Sequence, residues 1–552
     1  MPARVSSCIL LLTLFMFLLA LTPVADLKGT AAQSTTVVSE PEKWGIFPAG
    51  TLHRPIVIDG DANFFDTAML EGWPGNGSPE NPFIIDGLDI DIDGSPGSCI
   101  SISNTRVSFT ISNCSLTGAS WDWLPGAGIF LENVTSGELV NNTCYSNDEY
   151  GIYLRKSSFN TVSDNTCNNN RFGICLVALH GNNMFNTVSN NSCSYNTQCG
   201  IYLDAIYATV SNNIVDNNTC TSNGNYGIYF LHSNDNIVGN NTCSSNGDYG
   251  IFLYNAGSST VSDNLCNNNR IGIFLYSSGE IIMFNTVSNN SCSNNTQCGI
   301  YLDANTSLAN TNLSNNTVIN NTCSSNGEYG IRLHGSHHNT VTDNTCNNRV
   351  GIYLDRSDSN TVANNTCSSN SEYGISLSGS DSNTMSNNTC SSNGEYGIRL
   401  YGSHHNTVSD NTCNNNRIGI YLDHSDSNIV TKNTCTSNDY GIYLGSSDFN
   451  TMSYNICMSN TEHDISLRDS NFNTVDNNIT SISEEFFSVL FLLIGFFGIT
   501  LLGAGWWKVS ARGDQDDIIV PTRYRLVSWF RERRALKHID VDETLEPDSS
   551  DL

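Results

Sequence analysis

From about residue 99 to residue 482 the chain runs in short stretches that alternate apolar and polar positions, separated by Asn, Gly and Ser; no helix-length spacing of apolar residues appears. Alternation at period two predicts short strands. The stretches also recur. Asn-x-Cys returns at Cys144, Cys167, Cys193, Cys220, Cys243, Cys266, Cys292, Cys323, Cys346, Cys367, Cys390, Cys413, Cys435 and Cys457, mostly 21 to 27 residues apart. A fixed period of this length signals a solenoid. One strand pair cannot bury its apolar side alone, but coils stacked at about 4.8 Å make continuous columns of like residues. The predicted fold class is therefore all-β, a right-handed single-stranded parallel β-helix, with roughly 16 coils between residues 99 and 482 and a rod near 75 Å long.

Alternation assigns directions to side chains. In Gly-Ile-Tyr-Leu, Ile152 and Leu154 point inward and Gly151 and Tyr153 outward; in Asn-Asn-Thr-Cys, Asn142 and Cys144 point inward and Asn141 and Thr143 outward. An inward Asn in every coil can form an amide ladder that satisfies its own polarity. Asn-Gly at Asn223, Asn246, Asn326 and Asn393 is expected to supply the positive φ of tight turns. Whole groups of coils are copied: the segment from Cys167 to Ala205 matches Cys266 to Ala304 at an offset of 99. An array that grows this way presents a repeated surface, which suits binding, spacing or shielding.

Twenty cysteines in a secreted chain would ordinarily suggest a disulfide framework. Here fourteen of them fall in one inward column, where in-register neighbours have parallel Cβ vectors and poor bridging geometry. They are expected to be small buried hydrophobes. A thiolate column for soft Cu(I) is the alternative, so no cofactor is expected, with copper the one possibility. Cys199 and Cys298, six residues after Cys193 and Cys292, are candidates for a bridge within a coil.

The termini place the array. Arg4, an apolar run from Cys8 to Leu21 and small residues around Ala31 have the three regions of a signal peptide over residues 1–32. Residues 33–98 are expected to be a linker and cap, and 99–482 the repeats. Residues 486–507 are an uncharged run of 22, long enough to span a bilayer as a helix, followed by Lys508 and Arg512. Residues 508–552 then form a short cytoplasmic tail. The expected localisation is the cell membrane, single-pass, with the repeats outside. Net charge is -29, and between Cys99 and Ile482 the only lysines are Lys156 and Lys432, which excludes a nucleic-acid groove.

Three sets of residues carry candidate chemistry. The outward strand position holds Tyr153, Tyr202, Tyr229, Phe252, Phe274, Tyr301, Tyr353, Tyr421 and Tyr443. Stacking makes these an aromatic stripe suited to sugar rings or a protein partner, or one that reflects only strand propensity. Trp121 and Trp123 are further ligand-binding candidates in a longer loop. Two residues along the strand, consecutive coils present Asp303, His334 and Asp355, with Arg332 beside them; this is the best acid-base or metal constellation in the chain. The pairs His337-His338 and His404-His405 recur at one turn, too far apart to share an ion. Finally, outward Asn141, Asn217, Asn240, Asn320, Asn364 and Asn387 each begin an Asn-x-Ser/Thr sequon, which predicts glycosylation along one side of the rod in a glycosylating host.

The stretch Pro55-Ile-Val-Ile-Asp-Gly-Asp, then Gly77-Ser-Pro-Glu-Asn-Pro-Phe-Ile-Ile-Asp-Gly-Leu-Asp-Ile, then Asn113-Cys-Ser-Leu resembles the opening of archaeal surface β-helix proteins. The repeats that follow resemble the NosD-type periplasmic copper-binding, carbohydrate-binding and sugar-hydrolysis repeat superfamily, over about residues 53 to 480. The resemblance implies a β-helix and leaves the activity open, because such repeats occur in lyases, hydrolases, epimerases and non-catalytic surface proteins alike. Its matched residues are structural. The expected function is a membrane-anchored extracellular rod, non-catalytic, that binds carbohydrate or a cell-envelope protein. A polysaccharide lyase or hydrolase, and a copper-binding protein, are the alternatives.

Overall fold

The computed structural model describes residues 51–481, apart from 123–124, 179–180, 206–207 and 309–310, together with 539–540. It is an all-β parallel solenoid of about 17 turns, right-handed in type. Each turn has a long face built of six-residue strands such as Tyr150–Arg155, Tyr329–His334 and His463–Arg468. A second face has three-residue strands such as Thr161–Ser163, and a third has short strands such as Thr143–Tyr145 or single bridges. Every strand pairing between turns is parallel and in register, as where Ile152 lies opposite Ile129 on one side and Ile174 on the other. The array starts before residue 99: Ile56–Asp59 pairs with Ile100–Thr105 and adds one rung to those expected.

The repeat dictates the core. A typical coil sends an Ile and a Leu inward from the long face, a Val or Met from the second and a Cys from the third, and these form one continuous cluster. Fully burying such an aliphatic side chain stabilises by roughly 1.5–3 kcal/mol, and the array gains this at every turn. The N-terminal end is closed by the helix Asp61–Glu71, whose Phe64 and Ala68 are buried. Phe64 stacks 5.6 Å from Phe83 and lies 5.3 Å from Phe109. The helix stops at Gly72, which takes φ 70°.

The inward asparagines form the expected amide ladder and two more besides. In the ladder through Asn142, the Asn165 Oδ1 accepts from the Asn142 backbone N–H at 2.9 Å and from its Nδ2 at 3.0 Å, while Asn165 Nδ2 donates to the Leu139 carbonyl at 2.9 Å. Parallel ladders run through Asn147 and Asn170 and through Asn160 and Asn186. A serine ladder through Ser336, Ser357 and Ser380 occupies the corner after the long face. A buried amide or backbone N–H without a partner costs about 1–3 kcal/mol; here each coil satisfies the one before it.

Two expectations about turns are corrected by this ladder. Asn223 and Asn246 do not supply positive φ; they are interior ladder members, with Asn223 N–H donating to Asn246 Oδ1 at 3.0 Å. The left-handed residue is the one before, Ser222 at φ 58° and Ser245 at φ 60°. The glycine that follows is required by crowding instead, since a Cβ on Gly224 would sit 2.1 Å from the Thr197 carbonyl oxygen. Likewise Gly151 is not on the outward face. A Cβ there would meet the Gly173 carbonyl oxygen at 2.6 Å and the Cys167 Cβ at 2.9 Å, so the chain closes up at this corner and Tyr150 becomes the outward neighbour of Tyr153.

The cysteines stack in register, Cys144 opposite Cys167 and Cys323 opposite Cys346, and are buried and unbridged. Cys199 and Cys298 form no bridge within a coil. They lie on the long face opposite Tyr226 and Tyr329, on the outer side of the strand, whereas Cys193 and Cys292 belong to the inward column. The run 486–507 and the signal segment 1–32 lie outside the described residues; among the described residues no helix is long and apolar enough to cross a membrane. A two-residue strand, Ile539–Asp540, pairs in parallel with the last long-face strand, Ile539 opposite Ile465.

Candidate functional site

The long face concentrates the chemistry because its strands are the longest and expose three positions per coil. The expected stripe is present: Tyr202, Tyr229, Phe252, Phe274 and Tyr301 stand on consecutive rungs, with ring centroids 5.2, 4.9, 5.1 and 5.0 Å apart and near-parallel planes. It is not an open platform, however. Tyr153 and Tyr443, expected to point into solvent, are buried. A second aromatic column, Tyr150, Phe172, Tyr226, Tyr249, Tyr329 and Tyr373, runs beside the first and packs on it, Tyr150 against Tyr153 at 4.3 Å and Tyr226 against Tyr229 at 4.9 Å. Ring faces are thus taken up by other rings. Burial pushes these phenols upward, Tyr329 to about 12 and Tyr226 and Tyr229 further. The only trace of the second column in the sequence is the repeated Tyr before Gly-Ile-Tyr-Leu; that the chain closes up at the glycine and turns both tyrosines to one side emerges only when the coils stack.

The stripe is interrupted twice by a cation, at Arg332 and again at Arg399, which lies on the rung before Tyr421. Arg332 lies on the rung between Tyr301 and Tyr353, with its guanidinium 4.9 Å from the Tyr301 ring centre, 5.2 Å from Tyr329 and 5.8 Å from Tyr353. Contacts of this kind stabilise by about 0.5–2 kcal/mol. Its Nη2 reaches Asp355 at 3.5 Å. The structure also brings Asp303, His334 and Asp355 together on successive rungs. His334 Nδ1 is 2.8 Å from Asp303 Oδ1, and its Nε2 is 3.8 Å from Asp355 Oδ2. Tyr276 stands on the rung before Asp303 and Ser378 on the rung after Asp355. All four residues of the cluster are partly exposed, so a ligand reaching the edge of the tyrosine stack would meet an imidazole held between two carboxylates.

The other candidates are scattered. Trp121 is exposed and Trp123 lies outside the described residues. Tyr353 and Tyr421 are half-buried in the stack. Of the histidine pairs, one member does structural work: His337 Nδ1 accepts from the Asp358 backbone N–H at 3.0 Å, and His404 Nδ1 accepts from that of Asp426 at 3.0 Å. In neighbouring coils an aspartate fills the same role, as where Asp358 Oδ1 accepts from Asp381 N–H at 2.8 Å. The sequon residues Asn141, Asn217, Asn240, Asn320, Asn364 and Asn387 share one corner, are exposed, and take φ of 53–56°.

These features define a class, the parallel β-helix whose coils are held by interior amide ladders and whose long face presents its side chains in register. The chain belongs to the family described as periplasmic copper-binding protein (NosD), which its sequence matches over residues 100–312, 302–433 and 402–485. Among solved structures it is similar to the periplasmic alginate epimerase AlgG, at 13% identity over 77% of this chain and 83% of that one, TM-score 0.31. It is also similar to the mannuronan C-5 epimerase AlgE4 A-module of Azotobacter vinelandii, at 13% identity over 70% and 91%, TM-score 0.27. A third is pectate lyase Pel9A, at 17% identity over 58% and 80%, TM-score 0.27. No curated protein matches.

Proposed function

We propose that this chain is a non-catalytic, membrane-anchored surface rod whose long face binds carbohydrate at the Asp303, His334, Asp355 and Arg332 edge of the tyrosine stack. The observation that carries the reading is the pairing within that cluster. His334 stands between Asp303 Oδ1 and Asp355 Oδ2, and Arg332 reaches the same Asp355 oxygen, so the side chains hold one another in place and keep further donor and acceptor atoms for a ligand. Such a group offers fixed donors and acceptors to sugar hydroxyls. With a net charge of -29, the rod repels polyanions over a Debye length, so the ligand class is a neutral or amino sugar polymer. The exposed sequon corner would carry glycans in a glycosylating host.

The family description names copper, and the residues here do not fit it. The thiols are in the dry core, where desolvation opposes the thiolate form that soft Cu(I) takes. Among the described residues no group of three or more His, Cys, Asp or Glu side chains is arranged to hold an ion. No step is assigned to copper.

The anchor is the run 486–507. If it crosses a bilayer, residue 539 lies on the far side from residue 465, so anchoring and the pairing of Ile539 with Ile465 exclude each other in one molecule. The test of function is to incubate the full chain with a panel of neutral, amino and uronic polysaccharides, measuring retention together with new reducing ends or unsaturated products. Retention of a neutral or amino polymer that is lost in Asp303→Ala/Asp355→Ala, with no product, is expected. Product that vanishes in the same variant would make the chain a polysaccharide-cleaving enzyme.

A further inference from the structure

The last two coils carry exposed phenylalanines at a corner where the six coils before them carry none; far up the rod Phe159 and Phe185 form a comparable stacked pair, 5.1 Å apart. At the corner between the long and second faces, coils upstream carry Ser359, Ser382, His405 and Ser427 in the left-handed region. The next two carry Phe449 and Phe472, still at φ 57°. A bulky aromatic in that region is an outlier on steric grounds. Both rings are also open to solvent, Phe449 at 59% and Phe472 at 77% exposure, although they stack on each other at 5.0 Å.

In the first of these two coils other edges change as well. The corner that is Asn387, Asp410 and Lys432 upstream becomes Tyr454, exposed at 58%. On the third face Met458 stands on the rung after Thr436 and is exposed. Phe449, Tyr454 and Met458 are one coil short of the end, so their exposure is lateral and does not come from a missing neighbour above. The array therefore ends in a girdle of aromatic and apolar side chains around the rod. The apolar run begins at residue 486, five residues beyond Ser481, a span of at most about 18 Å.

We propose that this girdle is a lipid-facing collar: Phe449, Phe472, Tyr454 and Met458 enter the headgroup and upper acyl region of the bilayer and hold the rod upright on its anchor. The inference rests on the reading of 486–507 as a membrane span. Two coils cover about 10 Å, comparable with the interfacial layer of a bilayer, and aromatic side chains concentrate in that layer. Phe284, which shares the corner and is also exposed, lies seven rungs from Phe449, about 34 Å at strand spacing. An upright rod keeps it in water.

The test uses the full chain in liposomes carrying photoactivatable lipids, one with the diazirine near the headgroup and one deep in the acyl chain, with labelled peptides identified by mass spectrometry. The expected result is acyl-chain labelling of 486–507 and headgroup-level labelling of 449–479. Label on 449–479 should be lost, and label on 486–507 kept, in the variant Phe449→Ser, Tyr454→Asn, Met458→Thr, Phe472→Ser. Every replacement is a residue type that upstream coils carry at those edges, so the variant folds. Label on 486–507 without 449–479 overturns the collar and leaves the anchor. Absence of label from both overturns the anchor as well and fits the tail strand at Ile539 in its place. Label extending to Phe284 and Phe185 means a rod lying flat, and overturns the upright collar.

Discussion

Replacing a ladder asparagine should cost more than replacing the cysteine two residues away. Asn344 Oδ1 accepts from the Asn321 backbone N–H at 2.9 Å and from Asn321 Nδ2 at 3.0 Å; its own Nδ2 donates to the Val318 carbonyl at 2.9 Å and to Asn365 Oδ1 at 3.0 Å. In Asn344→Ala the Asn321 amide is left buried without this acceptor, a cost of about 1–3 kcal/mol, and the lost donor bonds add about 1 kcal/mol. A destabilisation of about 3 kcal/mol follows. Cys346→Ala, in the same coil, removes one buried sulfur and leaves a small void, worth about 1 kcal/mol. Stability in a stacked array is a sum of local and nearest-neighbour terms, so the assay is native-state hydrogen exchange resolved over 317–370, backed by denaturant midpoints. Asn344→Ala should lower protection there by about 2 kcal/mol more than Cys346→Ala. Equal losses, or a greater loss in the cysteine variant, would refute the claim that polar satisfaction outweighs packing in the ladder.

Gly351→Ala should destabilise by about 1–3 kcal/mol or more, since its Cβ would lie 2.5 Å from the Gly374 carbonyl oxygen and the coils would have to part; an unchanged denaturation midpoint would contradict this. Phe284→Asn should stabilise by about 1 kcal/mol, because φ is 63° there and Asn315 holds the same corner in the next coil; thermal melting reads it, and a loss of stability would count against left-handed strain. The stacked tyrosines predict alkaline instability. Their folded pKa values are raised, Tyr329 to about 12, so the neutral phenol is favoured by folding. That contribution is complete below the unfolded value of about 10 and is lost as pH rises past it. Phenolate absorbance should therefore lag in native protein and jump on unfolding; a normal titration in the folded state would refute the closed stack.

The period and the inward residues were legible in the sequence because they obey strict alternation: Ile152, Leu154, Cys144 and Asn142 are all buried. Alternation fails where the chain turns a corner. Gly151 and Gly224 are placed by close approach to the next coil, a contact between residues 22 to 27 apart that no local pattern encodes. For the same reason the openness of the tyrosine stripe could not be read, since it depends on which rings flank it. The Asp303, His334 and Asp355 column was legible because equal strand positions become neighbours once coils stack. What the sequence could not show is that His334 is held between both acids, or that Arg332 lies against three tyrosine rings.

The unbridged thiol column has a consequence for how such a chain is made. An unfolded copy carries a reactive thiol about every 23 residues, and in an oxidising compartment any two can join. Once a coil is laid on its neighbour the sulfurs are sealed from oxidants and held in a geometry unsuited to bridging. In a compartment of that kind stacking competes with oxidation. Because each coil needs only its neighbour, every coil that stacks seals its own sulfur without waiting for the rest of the rod.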